Sequence, residues 1–513
     1  MSSARQLLIP VARRGAGALR NAPFRAARRF ASSAPAEVEH LYSGGLLTGF
    51  RKAYCGPLPP SYQVDPALTK LPPTRVTSLP NGMRVATEKT AGESVCVGVF
   101  IKSGSRYETD ESNGSAHFLE HMFFKGSKNK SQGQLELDIE NMGCRLNAYT
   151  SREQTVYYAN VLKEDTGKAV NILAEMLLNS TFDPAAIERE KGTILQEMEV
   201  VEKVEEEVVF DNLHYTAYQT SPLGRTILGP EENIRNMTRD HIVNYIQANY
   251  IAPRMVVVAA GNVDHDAFTN EVSKAFAATP ETPSGPSVIA EQPPAYFTGS
   301  DIRVRDDDMH LAHVATAFEA LDYNHPDSFA TMVMQVMLGS FDSSMPSAVH
   351  STSKMTSILA GYNERGYPLV QSAMAFNTQY SDTGLIGVYY VTELDKVMEA
   401  QWAIMREFQN LCHNASDAEV EIAKTQLKAT LVNQLDSGLS QVCEDIGRQM
   451  LNYGRRMALA ETFARIDAVD APTIRRVAMA MCNDKCIAVS AKGNVSSLPD
   501  YNWIRRHTWS LRY

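Results

Sequence analysis

IRNMTRDHIVNYIQANYIAPRMVVVAAGNV, residues 234–263, is matched 232 residues further on by IDAVDAPTIRRVAMAMCNDKCIAVSAKGNV, residues 466–495. Each copy opens on a helix N-cap residue, Thr238 or Asp470, followed by a helical stretch and a short loop. Each then runs into an apolar strand, MVVVAA or CIAVSA, that ends in Gly-Asn-Val. Upstream, LGRTILGPEENI (223–234) faces YGRRMALAETFARI (453–466), two residues longer. A shared Gly-Asn-Val could be chance. The surrounding periodicity at one constant offset points instead to two homologous α+β halves, each a mostly antiparallel sheet packed with helices. The seam falls in ATPETPSGPSVIAEQPP (278–294), whose prolines read as an extended linker. The expected halves are therefore residues 65–278 and 295–510, joined by a linker at 279–294.

The 513 residues suffice for more than one domain, and 44% hydrophobic with 21% charged residues is ordinary for a globular chain. No apolar run is long enough to span a bilayer. Residues 1–36 differ from the rest. They hold seven arginines (5, 13, 14, 20, 25, 28 and 29) and no acid before Glu37, the composition expected of a mitochondrial transit peptide. Without those seven charges the net charge goes from −10 to −17. So acidic a chain is not expected to bind nucleic acid and suits basic ligands. The seven cysteines (55, 96, 144, 412, 443, 482 and 486) form no CxxC pair, which argues against a disulfide framework or a cysteine-held zinc.

HFLEHMFF (117–124) is apolar, yet it carries two histidines and a glutamate. Gly114-Ser115 can open a helix running to Gly126. On it His117, Glu120 and His121, at i, i+3 and i+4, share one face, with Phe118, Leu119, Met122 and Phe123 on the others. Buried imidazoles beside a carboxylate need something to satisfy them. Two neutral histidines one turn apart can hold a single zinc ion, and the glutamate is then placed to take a proton from the attacking water. Such a site needs a third ligand.

Asp183-Pro184 is a helix start, and PAAIEREKGTILQEMEVVEKVEEEVVFDNL (184–213) reads as one long acidic helix. Its apolar seam comprises Glu190, Ile194, Glu197, Val201, Val204 and Val208. Glutamates 199, 202, 205 and 206 lie off the seam, where solvent is expected. Two acids within an apolar seam call for a cause. Metal ligation by one, supported by the other, supplies it. On an unbroken helix Glu207 and Asp211 fall within about 80° and 40° of the direction of Glu197. Residues 146–161, LNAYTSREQTVYYANV, read as a strand.

HFLEH with Glu197 76 residues beyond it, and Glu190 one heptad before that, resembles the pitrilysin-type inverzincin metallopeptidases. The likeness covers nearly all of the chain beyond residue 65. It includes GSRYETDESNGSAHFLEHMFFKG, LNAYTSREQTVYYA, EREKGTILQEMEVVE, SPLGRTILGP and the tail LPDYNWIRRHTWSLRY. Within the family it is to the mitochondrial members, which remove presequences as half of a heterodimer or serve as core subunits of respiratory complex III. The resemblance implies His117, His121 and Glu197 as ligands of one zinc ion, Glu120 as general base and Glu190 as the supporting acid. It implies that Glu207 and Asp211 hold a substrate arginine just upstream of the cut, and that Phe124 walls the pocket after it. On its own, Phe124 reads as core. The resemblance also implies that Asn147, Ala148 and Tyr149 lie on a sheet edge that receives an extended peptide. The second half has no HFLEH. The glycine-rich loop that captures substrate in such heterodimers is missing, and LGSFDSSMPSAVHSTSK (338–354) is serine-rich in its place. A partner subunit bearing that loop is therefore expected, in the mitochondrial matrix or, beside cytochromes b and c1, on the matrix face of the inner membrane. The alternative is a core subunit of complex III with little or no peptidase activity. Single-chain presequence-degrading members carry four such halves, and this chain has room for two.

Overall fold

The computed structural model describes residues 72–285, 288, 293–344, 353–361 and 368–509. The expected targeting segment at 1–36, six residues of the linker and residues 345–352 of the serine-rich stretch lie outside the described residues.

Two six-stranded sheets carry the chain. The first comprises β1 (Thr74–Ser78), β2 (Arg84–Lys89), β3 (Ser94–Ile101), β4 (Arg145–Thr150), β5 (Thr155–Leu162) and β6 (Met255–Gly261), in the order β1-β2-β6-β3-β5-β4. The second comprises β7 (Asp301–Arg305), β8 (Leu311–Ala320), β9 (Ser340–Asp342), β10 (Ser372–Gln379), β11 (Gly384–Glu393) and β12 (Ile487–Gly493), in the order β7-β12-β8-β11-β10-β9. The duplication is visible in this wiring. β2 pairs parallel with β6 as β7 does with β12, and every other pairing in either sheet is antiparallel. One difference matters below. The edge strand β4 has no outer partner among the described residues, whereas its counterpart β10 is covered by β9 through Ser372–Asp342, Ala373–Phe341 and Met374–Ser340.

The central strands β3 and β6 are almost wholly buried, as continuous apolar runs should be when both faces are covered. One face of the first sheet packs on α1 (Ser115–Met122), α2 (Gln132–Asn141), α3 (Thr166–Asn179), α4 (Pro184–Val201), α6 (Glu231–Asn236), α7 (Arg239–Asn249) and α8 (His265–Ala275). α5 (Glu205–Ala217) leaves this half. Its Val209, Phe210, Leu213 and Ala217 pack on the second sheet against Ala315, Ala317, Phe376 and Tyr389. The second half returns a helix in the same way. After α9 (Ser328–Leu338), α10 (Lys354–Leu359), α11 (Val397–His413) and α12 (Asp417–Asp436), α13 (Leu439–Asn452) lays Cys443, Ile446, Met450 and Leu451 on the open face of the first sheet. α14 (Leu459–Asp467), α15 (Ala471–Cys482) and α16 (Tyr501–Arg506) complete the chain.

Four local expectations are corrected. The first helix ends at Met122 instead of reaching Gly126. Residues 146–161 form a hairpin, β4 and β5 joined by a turn at 151–154. The acidic helix is broken at 202–204, and Val204 is exposed in the break. Glu205, Glu206 and Glu207 then occupy the first turn of α5, where the positive end of the helix dipole favours acids. Glu205 is not simply solvated. It pairs with Lys492 of β12 at 2.6 Å, helping to tie α5 to the second half.

Candidate metal centre

α1 is short, and its N-terminal amides are satisfied by an acid from outside it. Glu108, itself 1% exposed, accepts from the amides of Ala116 (2.6 Å) and Gly114 (3.1 Å) and from Asn113 Nδ2 (2.8 Å). Burial pushes this carboxyl up to about 7, although the three donors and Arg225 pull the other way. Phe118, Leu119, Met122 and Phe123 are buried in the first core, so the helix has one rotational setting. That setting aims His117, Glu120 and His121 towards α4.

Glu197 comes from α4 to meet them. Its Oε2 lies 3.3 Å from His121 Nε2 and 3.8 Å from His117 Nε2. Among the described residues these three form the one grouping of His, Cys, Asp or Glu able to hold a metal, with ligand atoms all within 4.8 Å of one another. A tetrahedral ion bound at 2.0–2.2 Å needs ligand atoms about 3.3 Å apart, so the cluster fits with small side-chain adjustments. Glu190, two turns before Glu197, accepts from His121 Nδ1 at 2.9 Å and pairs with Lys125 at 2.7 Å. This bond fixes the ring so that Nε2 faces the cluster. Burial, and then the neighbouring His121, lower His117 to about 4, which keeps it neutral as a ligand must be. Burial would lower His121 too, but its hydrogen bonds to Glu197 and Glu190 win and raise it. The His121 bond holds Glu197 down against burial, with His117 adding to the effect. Two imidazoles and an anionic carboxylate form a donor set suited to a divalent cation such as zinc.

Glu120 stands half-buried beside the cluster. Burial raises it, and a 2.5 Å hydrogen bond from Thr150 Oγ1 at the end of β4 opposes the rise. Asn147, Ala148 and Tyr149 lie on β4, the free edge of the sheet. The Ala148 amide donates to the Asn147 side chain at 2.9 Å. Tyr149 is tied by its hydroxyl to Glu444 of α13, in the second half. Phe124 follows α1 and is half-buried against the first core. The helix break removes the angular argument for Glu207 and Asp211, since they stand on a different helix from Glu197. A contact that sequence reasoning missed brings them back. Arg152, in the β4–β5 turn, donates to Asp211 at 2.5 Å, and Thr150, two residues earlier, touches Glu120. Two residues of chain span at most about 7 Å. Burial raises Glu207, with Asp211 and Glu206 adding to the rise and the Arg152 guanidinium opposing it.

Comparison with known proteins identifies the lineage. Residues 84–231 match the insulinase (peptidase family M16) model and residues 236–427 the M16 inactive-domain model. The chain belongs to the M16 peptidase family. It is 50% identical over 443 residues to a probable mitochondrial-processing peptidase subunit beta of Arabidopsis thaliana, covering 86% of this chain and 82% of that one. The mitochondrial-processing peptidase β subunits of Bos taurus and Neurospora crassa are each 49% identical, over 85% and 84% of this chain and 87% and 90% of theirs. Among solved structures, a chain of complex III2 from Candida albicans superposes with a TM-score of 0.74 at 26% identity, over 85% of this chain and 99% of that one. The two-domain M16 architecture expected from the duplicated sequence is thus the observed one. No helix among the described residues is long and apolar enough to cross a membrane.

Proposed function

We propose that this chain is the catalytic subunit of a zinc endopeptidase that removes arginine-containing N-terminal presequences from proteins imported into the mitochondrial matrix. One observation carries the reading: two histidines of α1 and a carboxylate of α4 converge within 4.8 Å, with Glu120 beside them. His117, His121 and Glu197 would hold the ion, which supplies Lewis acidity towards water and the scissile carbonyl. Glu190 keeps His121 in the ligand tautomer. Glu120 takes the proton of the attacking water and returns it to the leaving amine, and Thr150 holds it in position.

The substrate adds as a strand to the outer edge of β4, along Asn147, Ala148 and Tyr149. In the second half the matching edge is closed by β9, so an open edge accompanies the candidate chemistry. The acids Glu207 and Asp211 receive the arginine upstream of the cut, and Phe124 walls the pocket after it. The mitochondrial-processing peptidase α subunit, with its glycine-rich loop, completes the enzyme. Replacing Glu120 by Gln in the purified heterodimer should abolish presequence cleavage while metal content stays near one ion per chain. Cleavage that survives Glu120→Gln overturns the mechanism.

A second role, as a core subunit of complex III beside cytochromes b and c1, is favoured by the complex III neighbour. Co-purification with cytochrome b in mild detergent tests it, and a complex III containing this chain but no cleavage activity would leave only the structural role.

A further inference from the structure

The edge strand beside the metal cluster is fastened from the other half of the chain. Among the described residues β4 has one strand neighbour, β5, in a register running from Arg145–Asn160 to Thr150–Thr155. Its side chains alternate between the two faces of the sheet. Leu146 and Ala148 pack on the first core, and Thr150, on the same side, donates to Glu120 at 2.5 Å. Tyr149 faces the opposite side, against α13. Its hydroxyl donates to the Glu444 carboxylate of α13 and accepts from Gln154 Nε2 at 3.0 Å. The one donor of the phenol is thereby committed, so Tyr149 meets a peptide on this edge through its main chain. α13 is itself seated at three points across the sheet. Ser440 Oγ donates to Asn160 of β5 at 2.9 Å, and Arg84 of β2 donates to the Met450 carbonyl at 2.6 Å. Between them Gly447 lies so close to Phe100 of β3 that a Cβ would run into its ring.

We propose that Glu444 is a positioning residue of the peptidase: by holding the Tyr149 hydroxyl it sets the free edge of β4 and, through the next residue, the contact of Thr150 with Glu120. The inference rests on the peptidase reading and deepens it. Glu444 acts through Tyr149. A peptide that adds to an edge strand makes its main-chain hydrogen bonds to that strand alone. Displacing β4 therefore weakens all of these bonds together and moves Thr150 with them. The second half thus supplies the site with a side chain as well as an apolar cover.

The test separates positioning from stability. The chain is assembled with its α subunit, and cleavage of a fluorogenic presequence peptide is measured as kcat and KM per metal-loaded chain, alongside the urea midpoint. Glu444→Leu should lower kcat/KM about tenfold, the effect of one hydrogen bond to a charged group, mainly through KM. Tyr149→Phe should give the same loss, and the double variant no more than either alone, because both remove one contact. Glu444→Gln keeps an acceptor for the hydroxyl and should stay within about threefold of native. Ser440→Ala removes a different bond between α13 and the sheet and should leave kcat/KM within about twofold of native. A Glu444→Leu enzyme with a lowered urea midpoint but native kcat/KM per metal-loaded chain makes Glu444 a structural tie only and overturns the proposal. Additive losses in the double variant also overturn it. Should Glu444→Leu fail to fold, Tyr149→Phe alone decides: a loss of about tenfold supports the proposal, and a native value refutes it. A native heterodimer that leaves the peptide uncut would instead refute the peptidase reading itself.

Discussion

Replacing Arg106 by Met should be among the most damaging single changes outside the metal cluster. Arg106 is 3% exposed, and its guanidinium bridges two carboxylates from different halves, Glu153 at 2.6 Å and Asp382 at 2.8 and 2.6 Å. Methionine fills much of the same volume, so cavity formation is a minor part of the loss. What remains is a buried Glu153 held by the Ser381 hydroxyl and amide, and Asp382 held by the Ala295 amide at 3.0 Å. Removing one partner of a buried ion pair costs about 3–5 kcal/mol. Asp382→Asn should cost less, about 1–2 kcal/mol, because Arg106 keeps Glu153 and the Asp382 side chain is 30% exposed. With both changes together, the loss should fall short of the sum by about 1–3 kcal/mol, the coupling of the pair. Urea unfolding of the purified chain at neutral pH, followed by circular dichroism and by limited proteolysis at the linker, measures these differences. If Arg106→Met proves no worse than Asp382→Asn, Arg106 is not the latch between the halves.

Glu190→Gln keeps the volume but removes the charge on the acceptor of His121 Nδ1; zinc affinity, measured by competition with a chelator, should fall about 10- to 100-fold with the fold intact. Glu108 binds its proton more tightly in the fold, at about 7, than an ordinary carboxyl near 4.5. Its contribution to stability is therefore greatest in acid and is lost as pH rises through about 7, by about 3 kcal/mol in total. Urea midpoints of Glu108→Gln and the native chain at pH 5.5 and 8 should accordingly diverge in favour of the variant at high pH, and parallel midpoints would refute the shift. Thr150→Val removes the one hydrogen bond that opposes the effect of burial on Glu120. The acid limb of the kcat/KM profile should then move to higher pH by about one to two units, with a smaller change on the alkaline side.

Much of the frame was legible because it is written as periodicity. A constant offset of 232 residues gave the two halves, and i, i+3, i+4 spacing put His117, Glu120 and His121 on one helix face. Glu190 and Glu197 share a face of α4 for the same reason. The unread parts are those where tertiary contact overrides local preference. SREQ, at 151–154, has no glycine, proline or asparagine to mark a turn. The turn is set from outside, by Gly104 and Arg106 packed against it and by Ser381 across from it. In the same way, KVEEE at 203–207 has the composition of a helix interior, and only the departure of α5 to the other sheet shows why the helix stops. Arg106, Arg152 and Glu153 resemble solvated charges in a one-dimensional reading. The available hint was Gly104 two residues before Arg106, a glycine whose absent side chain admits a neighbouring backbone.

The second half lacks the histidines, yet the first depends on it at every level. Without α13, the face formed by Ala86, Cys96, Phe100, Val156, Val256, Val258 and Ala260 would meet water. Without α5, the second sheet would expose Ala315, Ala317, Phe376 and Leu385 in the same way. Burial of such apolar surface contributes about 25 cal/mol per Å², so the exchanged helices bind the halves more strongly than any ion pair between them. The ion pairs decide register instead. Glu153 and Asp382 stand at corresponding hairpin turns of the duplicated sheets, and a single guanidinium joins them. The joined turn is the one that carries Thr150 to Glu120 and Arg152 to Asp211. A shift of the second half would therefore reach the general base and the acidic pocket through one turn. That is a physical reason for a duplicated domain without chemistry of its own to stay in the chain.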